Sequence, residues 1–324
     1  MENSKQIKEN DNSLWFVNFL KKKGSVVLFL ILVILASIFV KNFFSLNNIL
    51  LIVIQSAIPV IACIGITIVL MTGGIDLSLE YTIALSSTVV GILVKKMEVS
   101  IFISIILTLG VGALVGLMNG LFVEKAKVPS FIVTLGTGYI IFGLAQIVSS
   151  GEDINRLPDA FRNIGVTKVL GVNTTVIIAI VICLIAYYAL HLSTFGRVLR
   201  AFGNSARASK MSGVDTAKLN ILVYVICSVC AAISGILLTM RVNCAQPTMG
   251  MGYTFTVITC AIIGGASLFG GEGTVIGSVF GVLIIMLIQN CINLLNVSYY
   301  TYQAIQGIII LLAIILENVK NKKL

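Results

Sequence analysis

The chain has 324 residues, of which 58% are hydrophobic and only 11% charged, with a mean hydropathy of +1.06. Soluble domains run roughly 45–50% apolar and about 25% charged. Soluble enzymes, nucleic-acid binders, secreted disulfide scaffolds and disordered tails are therefore excluded, and a bundle of membrane-spanning helices is what this composition can build. The formal charge of +9 is carried by Lys and Arg in short clusters between apolar runs. That is the pattern that orients membrane proteins, not a nucleic-acid-binding face.

A helical span needs about 20 apolar residues. In chain order the predicted spans are Ser25–Val40, Ile49–Met71, Tyr81–Val94, Val99–Val123, Ser130–Val148, Val172–Leu190, Ile221–Met240, Thr254–Leu268, Thr274–Leu295 and Tyr300–Leu316. The fold class that follows is an all-α integral membrane protein of about ten transmembrane helices. A single transmembrane domain covers residues 25–318, with cytoplasmic segments at 1–24 and 319–324. Lys21–Lys23 and the first span imitate a signal peptide. The run ends in Lys41-Asn42-Phe43-Phe44 without a small-residue cleavage site, so the span is expected to be retained, with Trp15, Phe16 and Phe19 before it as interface anchors. Tyr81–Val94 and Thr254–Leu268 are short, and Gly- and Thr-rich junctions imply helices broken at membrane depth. Such backbone survives only packed in protein or lining a wet cavity.

With the N-terminus inside, Lys5, Lys8, Lys21–Lys23, Lys125, Lys127, Arg197, Arg200, Arg207, Lys210, Lys218, Lys320, Lys322 and Lys323 fall in the cytoplasm. Lys41, Lys95, Lys96, Arg156, Arg162, Lys168 and Arg241 fall outside. Fifteen against seven predicts cytoplasmic termini and an external 152–171; Lys95-Lys96 runs against the trend. Six of the seven cysteines lie in apolar stretches and Cys244 in a polar connection. Cys227 and Cys230 form a CxxC, but without the polar, accessible setting that redox or zinc chemistry needs, so they read as small apolar packing residues and no metal site is expected.

The chain lacks a Gly-x-x-x-x-Gly-Lys-Ser/Thr phosphate loop, its carboxylates do not pair, and its lone His191 reads as an interface residue. Catalysis is not expected. The basic connection 191–220 carries a short helix: Ser205 is a good N-cap and Gly213 a good stop. It is either an orientation loop or a docking helix for a cytoplasmic partner. Gly73-Gly74-Ile75-Asp76-Leu77-Ser78 and the run Gly264, Gly265 to Gly270, Gly271 and Gly273 are either tight turns or a gate. Within spans, Gln55, Thr67, Thr134, Thr137, Gln146, Gln289, Asn290 and Asn293 are polar. Span centres hold almost no ionisable residue, which argues against ion coupling and for energy supplied by another subunit. Gln55, Asp76, Thr134 and Gln246 are the candidates for a translocation pathway.

Six stretches in order, Thr72–Ser78, Gly116-Leu117-Met118-Asn119-Gly120, Pro129–Leu135, Ala245-Gln246-Pro247-Thr248, Gly250-Met251-Gly252-Tyr253 and Gly264–Gly273, resemble the permease subunits of ribose-type monosaccharide ABC importers. The resemblance runs essentially end to end. It implies alternating access in the bacterial cytoplasmic membrane, with a second permease subunit, a cytoplasmic two-cassette ATPase that binds ATP and magnesium, and an extracytoplasmic sugar-binding protein. It also implies that Arg200, Gly203, Asn204, Ser205, Arg207, Ala208 and Gly213 belong to a coupling helix that docks on the ATPase. Three departures stand out: Ser205-Ala206-Arg207 within the coupling segment, Glu80 where a glycine is usual, and Thr254 where an acid is usual. They leave the sugar open and suit one half of a heterodimer. Related permeases for nucleosides, branched-chain amino acids or a furanose signal molecule, and a stand-alone secondary carrier, are the competing expectations.

Overall fold

The computed structural model describes residues 24–321. The N-terminal lysines and aromatics up to Lys23, and Lys322 and Lys323 of the tail, lie outside the described residues.

A helix occupies each of the ten predicted segments: α1 (Gly24–Phe39), α2 (Leu46–Leu70), α3 (Leu79–Gly91), α4 (Ile101–Ala126), α5 (Ser130–Ser149), α7 (Thr174–Tyr187), α10 (Thr216–Val242), α11 (Tyr253–Ile263), α12 (Val275–Leu294) and α13 (Tyr299–Asn321). Among the described residues, six stretches are long and apolar enough to cross a membrane: α2, α4, α5, α10, α12 and α7 with the π-helical turn that continues it to Leu192. The short third segment, α3, gains a π-helical turn over Ile92–Lys96, and α11 is only 11 residues long. Side-chain caps set several starts. Ser45, Asn173 and Thr274 accept from the amides of Asn48, Thr175 and Gly277 at 3.3, 2.9 and 3.0 Å.

Between the spans lie α6 (Asp159–Val166), α8 (Thr194–Asn204), α9 (Ala206–Met211) and four two-residue strands, β1 (Ile154–Asn155), β2 (Lys168–Val169), β3 (Val172–Asn173) and β4 (Cys244–Ala245). β1 pairs antiparallel with β4, Ile154 opposite Ala245, and β2 with β3.

α10 lies at the centre, packed on α2, α3 and α4, and α2 also packs on α7, α11 and α12. α2, α10 and α12 are mostly buried, whereas α4, α5 and α7 turn most of their apolar surface outward, as spans facing lipid or another chain do. Contact between α4 and α10 is made through glycines four apart. A Cβ on Gly112, Gly116 or Gly120 would meet Ala232, Val225 or Ile221 of α10 at 2.5–2.7 Å, so the backbones lie as close as small residues at i, i+4 permit. Gly65 of α2 faces Cys230 and Cys227 in the same way, which gives the CxxC its packing role. At the other end of α2, Asn48 and Asn290 of α12 exchange amide hydrogen bonds of 2.9 and 2.7 Å.

α10 has 27 residues, about 40 Å at 1.5 Å per residue. Its first turn follows α8 and α9, and its last turn leads into β4. These two ends are called near and far below.

Candidate functional site: a glycine junction, a buried polar knot and a polar cavity

At the near end, α9 begins at Ser205, whose hydroxyl accepts from the Ala208 amide at 3.2 Å, and stops before Gly213 at φ +84°. Arg207 and Ala208 are exposed. Arg200 points elsewhere, since its guanidinium donates to the Leu190 carbonyl at 2.9 Å and so holds α8 against the end of α7. Gly203 and Asn204 close α8, and there the two glycine motifs arrive. The Gly271 amide donates to the Met71 carbonyl at 2.9 Å. A Cβ on Gly203 would overlap that same carbonyl and the Gly271 nitrogen, and one on Gly271 would overlap the Asn204 side chain. Gly73, at φ +78°, sits against Phe269 and Gly270, and Gly273 against Met71 and Thr67. Gly264 approaches Gly277 of α12, and Gly265 takes φ +90°. The segment before α9 is thus in main-chain contact with the end of α2 and with the loop joining α11 to α12.

Asp76 and Thr134 lie in a buried knot beyond this junction. The Ser78 amide and hydroxyl donate to one Asp76 carboxylate oxygen at 2.9 and 2.6 Å. Asn119 of α4 donates to Ser78 at 2.7 Å, and Thr137 of α5 to Asn119 at 2.5 Å. The Thr134 hydroxyl accepts from the Leu77 amide and Ser130 from the Ile75 amide, both at 2.9 Å. The loop 73–78, which has no regular structure of its own, thereby has the amides of Ile75, Leu77 and Ser78 paired inside protein, as backbone at membrane depth requires. Asp76 and Thr134 are both fully buried.

Gln55 stands apart from that knot, in a cavity of about 330 Å³ between α2, α11, α12 and α13, within the roughly 300–1,000 Å³ range of small-molecule sites. Gln289, Asn293, Gln303 and Gln306 add four more carboxamides, Thr256 and Tyr253 come from the first turn of α11, and Arg241 comes from the last turn of α10. Pro59 lines it too; lacking an N–H, it leaves the Gln55 carbonyl one turn earlier without its helical donor. Gln306 donates to Thr256 at 2.5 Å. Each carboxamide both donates and accepts, the pairing a polyhydroxylated solute needs. Among the described residues no carboxylate lines the cavity, so an ammonium group would find acceptor oxygens there but no ion-pair partner. A larger groove of about 600 Å³ on the outside of α4 is walled by Leu114, Leu117, Leu121 and Phe122, with Lys125 its only charge, and has little to orient a solute.

Gln246 is at the far end, donating through its side chain to Asp153 at 2.7 Å and through its amide to Ser87 at 3.2 Å, beside the β1–β4 pair. The four pathway candidates therefore separate: one in the cavity, two in the knot, one at the far end. Arg241, Tyr253, Thr256, Gln303 and Gln306 escape a sequence reading. As cavity residues they have little signal: Arg241 reads as one more external cation, Tyr253 only as part of the Gly250–Tyr253 stretch, and Thr256, Gln303 and Gln306 as hydroxyls and amides near span ends.

Residues 48–314 match the family described as the permease component of the branched-chain amino acid transport system, and the chain belongs to that family. It is a multi-pass membrane permease component and not an enzyme. It is 34% identical over 307 residues to the ribose import permease protein of Escherichia coli (strain K12), covering 94% of this chain and 95% of that one. Its similarity to the ribose import permease protein of Bacillus subtilis (strain 168) is 34% over 321 residues, 98% and 99% of the two chains. To the D-allose transport system permease protein of Escherichia coli (strain K12) it is 32% over 308 residues, 95% and 94%. No solved structure matches.

Proposed function

We propose that this chain is the membrane subunit of an ATP-driven importer of a monosaccharide, ribose-like in class, working by alternating access in the bacterial cytoplasmic membrane. The observation that carries the reading is the carboxamide-lined cavity, whose wall α11 leads directly into the glycine junction beneath α9. The reading takes ten spans with both termini cytoplasmic, which the fifteen-to-seven bias of basic residues supports; the cavity is then in the external half and α9 on the cytoplasmic side. There, α9, from its cap Ser205 through Arg207 and Ala208 to Gly213, docks on a two-cassette ATPase that binds ATP and magnesium. Gln246 and the β1–β4 region face an extracytoplasmic sugar-binding protein, and a second permease subunit completes the pathway. Ribose, allose and similar sugars suit a wall of five carboxamides, two hydroxyls and one guanidinium, whose donors and acceptors match sugar hydroxyls. A branched-chain amino acid would find the Arg241 guanidinium for its carboxylate but no carboxylate among the described lining residues for its ammonium group.

Co-expression with the ATPase and binding protein, followed by reconstitution into vesicles, tests this. Labelled ribose, allose, arabinose, a nucleoside and leucine are offered with and without ATP. ATP-dependent uptake of a pentose or hexose is expected. Uptake driven by an ion gradient without the ATPase, or a preference for leucine, would overturn the reading.

A further inference from the structure

Two helices begin inside the bundle, and neither caps itself. α3 starts after Ser78, whose side chain is committed to Asp76 and Asn119 and makes no cap bond. α11 starts after Gly252, which has no side chain and sits at φ +83°. Each cap is supplied by the other helix. The Glu80 carboxylate of α3 accepts from the amides of Gly252 and Thr254 at 3.0 and 3.3 Å, and the Thr254 hydroxyl accepts from the Glu80 amide at 3.1 Å. Glu80 is only 8% exposed. An anion at a helix N-terminus is favoured by the dipole, charge-assisted hydrogen bonds are the strong ones, and ionisable groups at membrane depth are rarely kept without use.

We propose that Glu80 is a positioning residue whose reciprocal cap with Thr254 makes α3 and α11 move as one body. Both arms of that body reach the same place. The loop leading to α3 leaves Met71 and Gly73 at the glycine junction, and the last turn of α11 runs into Gly264–Gly271 at that junction. The first turn of α11 forms the wall of the cavity through Tyr253 and Thr256. A displacement of α9 therefore reaches the cavity wall along two routes that Glu80 closes into a ring. Without the cap, α11 can lag behind α3, and ATP turnover continues without opening or closing the cavity.

This rests on reading the cavity as the solute's passage, so the decisive readout uses no solute. A single cysteine at Thr256, in an otherwise cysteine-free chain, is labelled with a maleimide in the assembled complex with and without ATP. In the parent chain the labelling rate should change on adding ATP. In Glu80→Ala that change should disappear, with basal ATPase activity unaltered and uptake down about tenfold, the order expected for losing a charge-assisted pair. Glu80→Gln keeps an acceptor oxygen and should hold the response. Glu80→Ala combined with Thr254→Asp returns an anion to the first turn of α11 and should restore it; loss of a side chain that served only packing would not be rescued from the opposite helix. If Glu80→Ala fails to assemble, Thr254→Val, which removes one hydrogen bond at constant shape, should show a reduced labelling response with normal assembly. A full ATP response in Glu80→Ala or Thr254→Val, or failure of both Glu80→Gln and the double variant, would overturn the proposal. Absence of sugar uptake by the parent chain would instead sink the sugar reading and leave the labelling test standing.

Discussion

At the scale of single residues, the near-end junction makes a prediction opposite to that of helix propensity. Gly203 lies in the last turn of α8, and Gly→Ala in a helix normally stabilises by about 1 kcal/mol. Here the added methyl would overlap the Met71 carbonyl and Gly271, so Gly203→Ala should lower ATP-dependent uptake at least about tenfold, an overpacking penalty of roughly 1–3 kcal/mol. Gly136 of α5 has open space where its Cβ would go, and Gly136→Ala should be neutral or slightly stabilising in a detergent melting assay. A second residue-scale outcome concerns Asp215, the N-cap of α10. The Lys218 amide, donating at 3.0 Å, holds its carboxyl below the usual carboxylate range. A depressed folded-state pKa means the cap's contribution is full above the ordinary value of about 4 and fades as pH falls through the lower folded value. Hydrogen-exchange protection of the first turn of α10 should be flat from neutral pH to about pH 5 and fall below about pH 4, whereas Asp215→Asn, which keeps an acceptor, should show no such drop. Glu80 and Thr254 are each visible in the sequence as an odd residue in its place, but separated by more than 170 positions; only the fold makes them one device. Asp76 is legible as a costly acid and its partner Ser78 lies only two residues on, but Asn119 and Thr137, which extend that chain of hydrogen bonds, come from α4 and α5, and no local pattern connects them to it.

At the scale of elements, the long apolar runs were legible because a span writes itself as some twenty consecutive apolar residues, and each of the ten predicted runs contains a helix. The short capped α9 was legible too, from Ser205 and Gly213. α8 was not: it is an amphipathic surface helix whose alternation is hidden inside a stretch that reads as a basic loop. α6 and the β1–β4 pair also leave little trace, since two-residue strands carry no periodicity and their register is set by the helices that deliver them. The docking role proposed for α9 can be tested without touching the bundle. Met211 ends α9 and is 82% exposed, so Met211→Pro removes a helical hydrogen bond, at a local cost of roughly 3 kcal/mol, and little else. Uptake should be lost while membrane insertion, read by expression of a fluorescent fusion, is unchanged; Met211→Ala should behave like the parent.

At the scale of the whole molecule, the two ends of α10 offer a direct test of orientation. Leu170, in the β2–β3 turn, is 99% exposed, and Met211 is on the opposite end. A cysteine at 170 should react with a membrane-impermeant maleimide in intact cells, and one at 211 only after permeabilisation. The reverse pattern would invert the assignment built on fifteen against seven basic residues. In the bundle, α2, α10 and α12 form a buried centre, and α4, α5 and α7 present apolar flanks. One consequence concerns inheritance. The junction of Gly203, Met71 and Gly271 is made largely of main-chain atoms, which a change of side chain elsewhere cannot rewrite. On the proposed docking role, the exposed face of α9 is free to diverge to suit a different ATPase while the main-chain contacts behind it stay the same. Altering Arg207 and its exposed neighbours would then be enough for a lineage to exchange its ATPase, or to seat two unlike permeases on one.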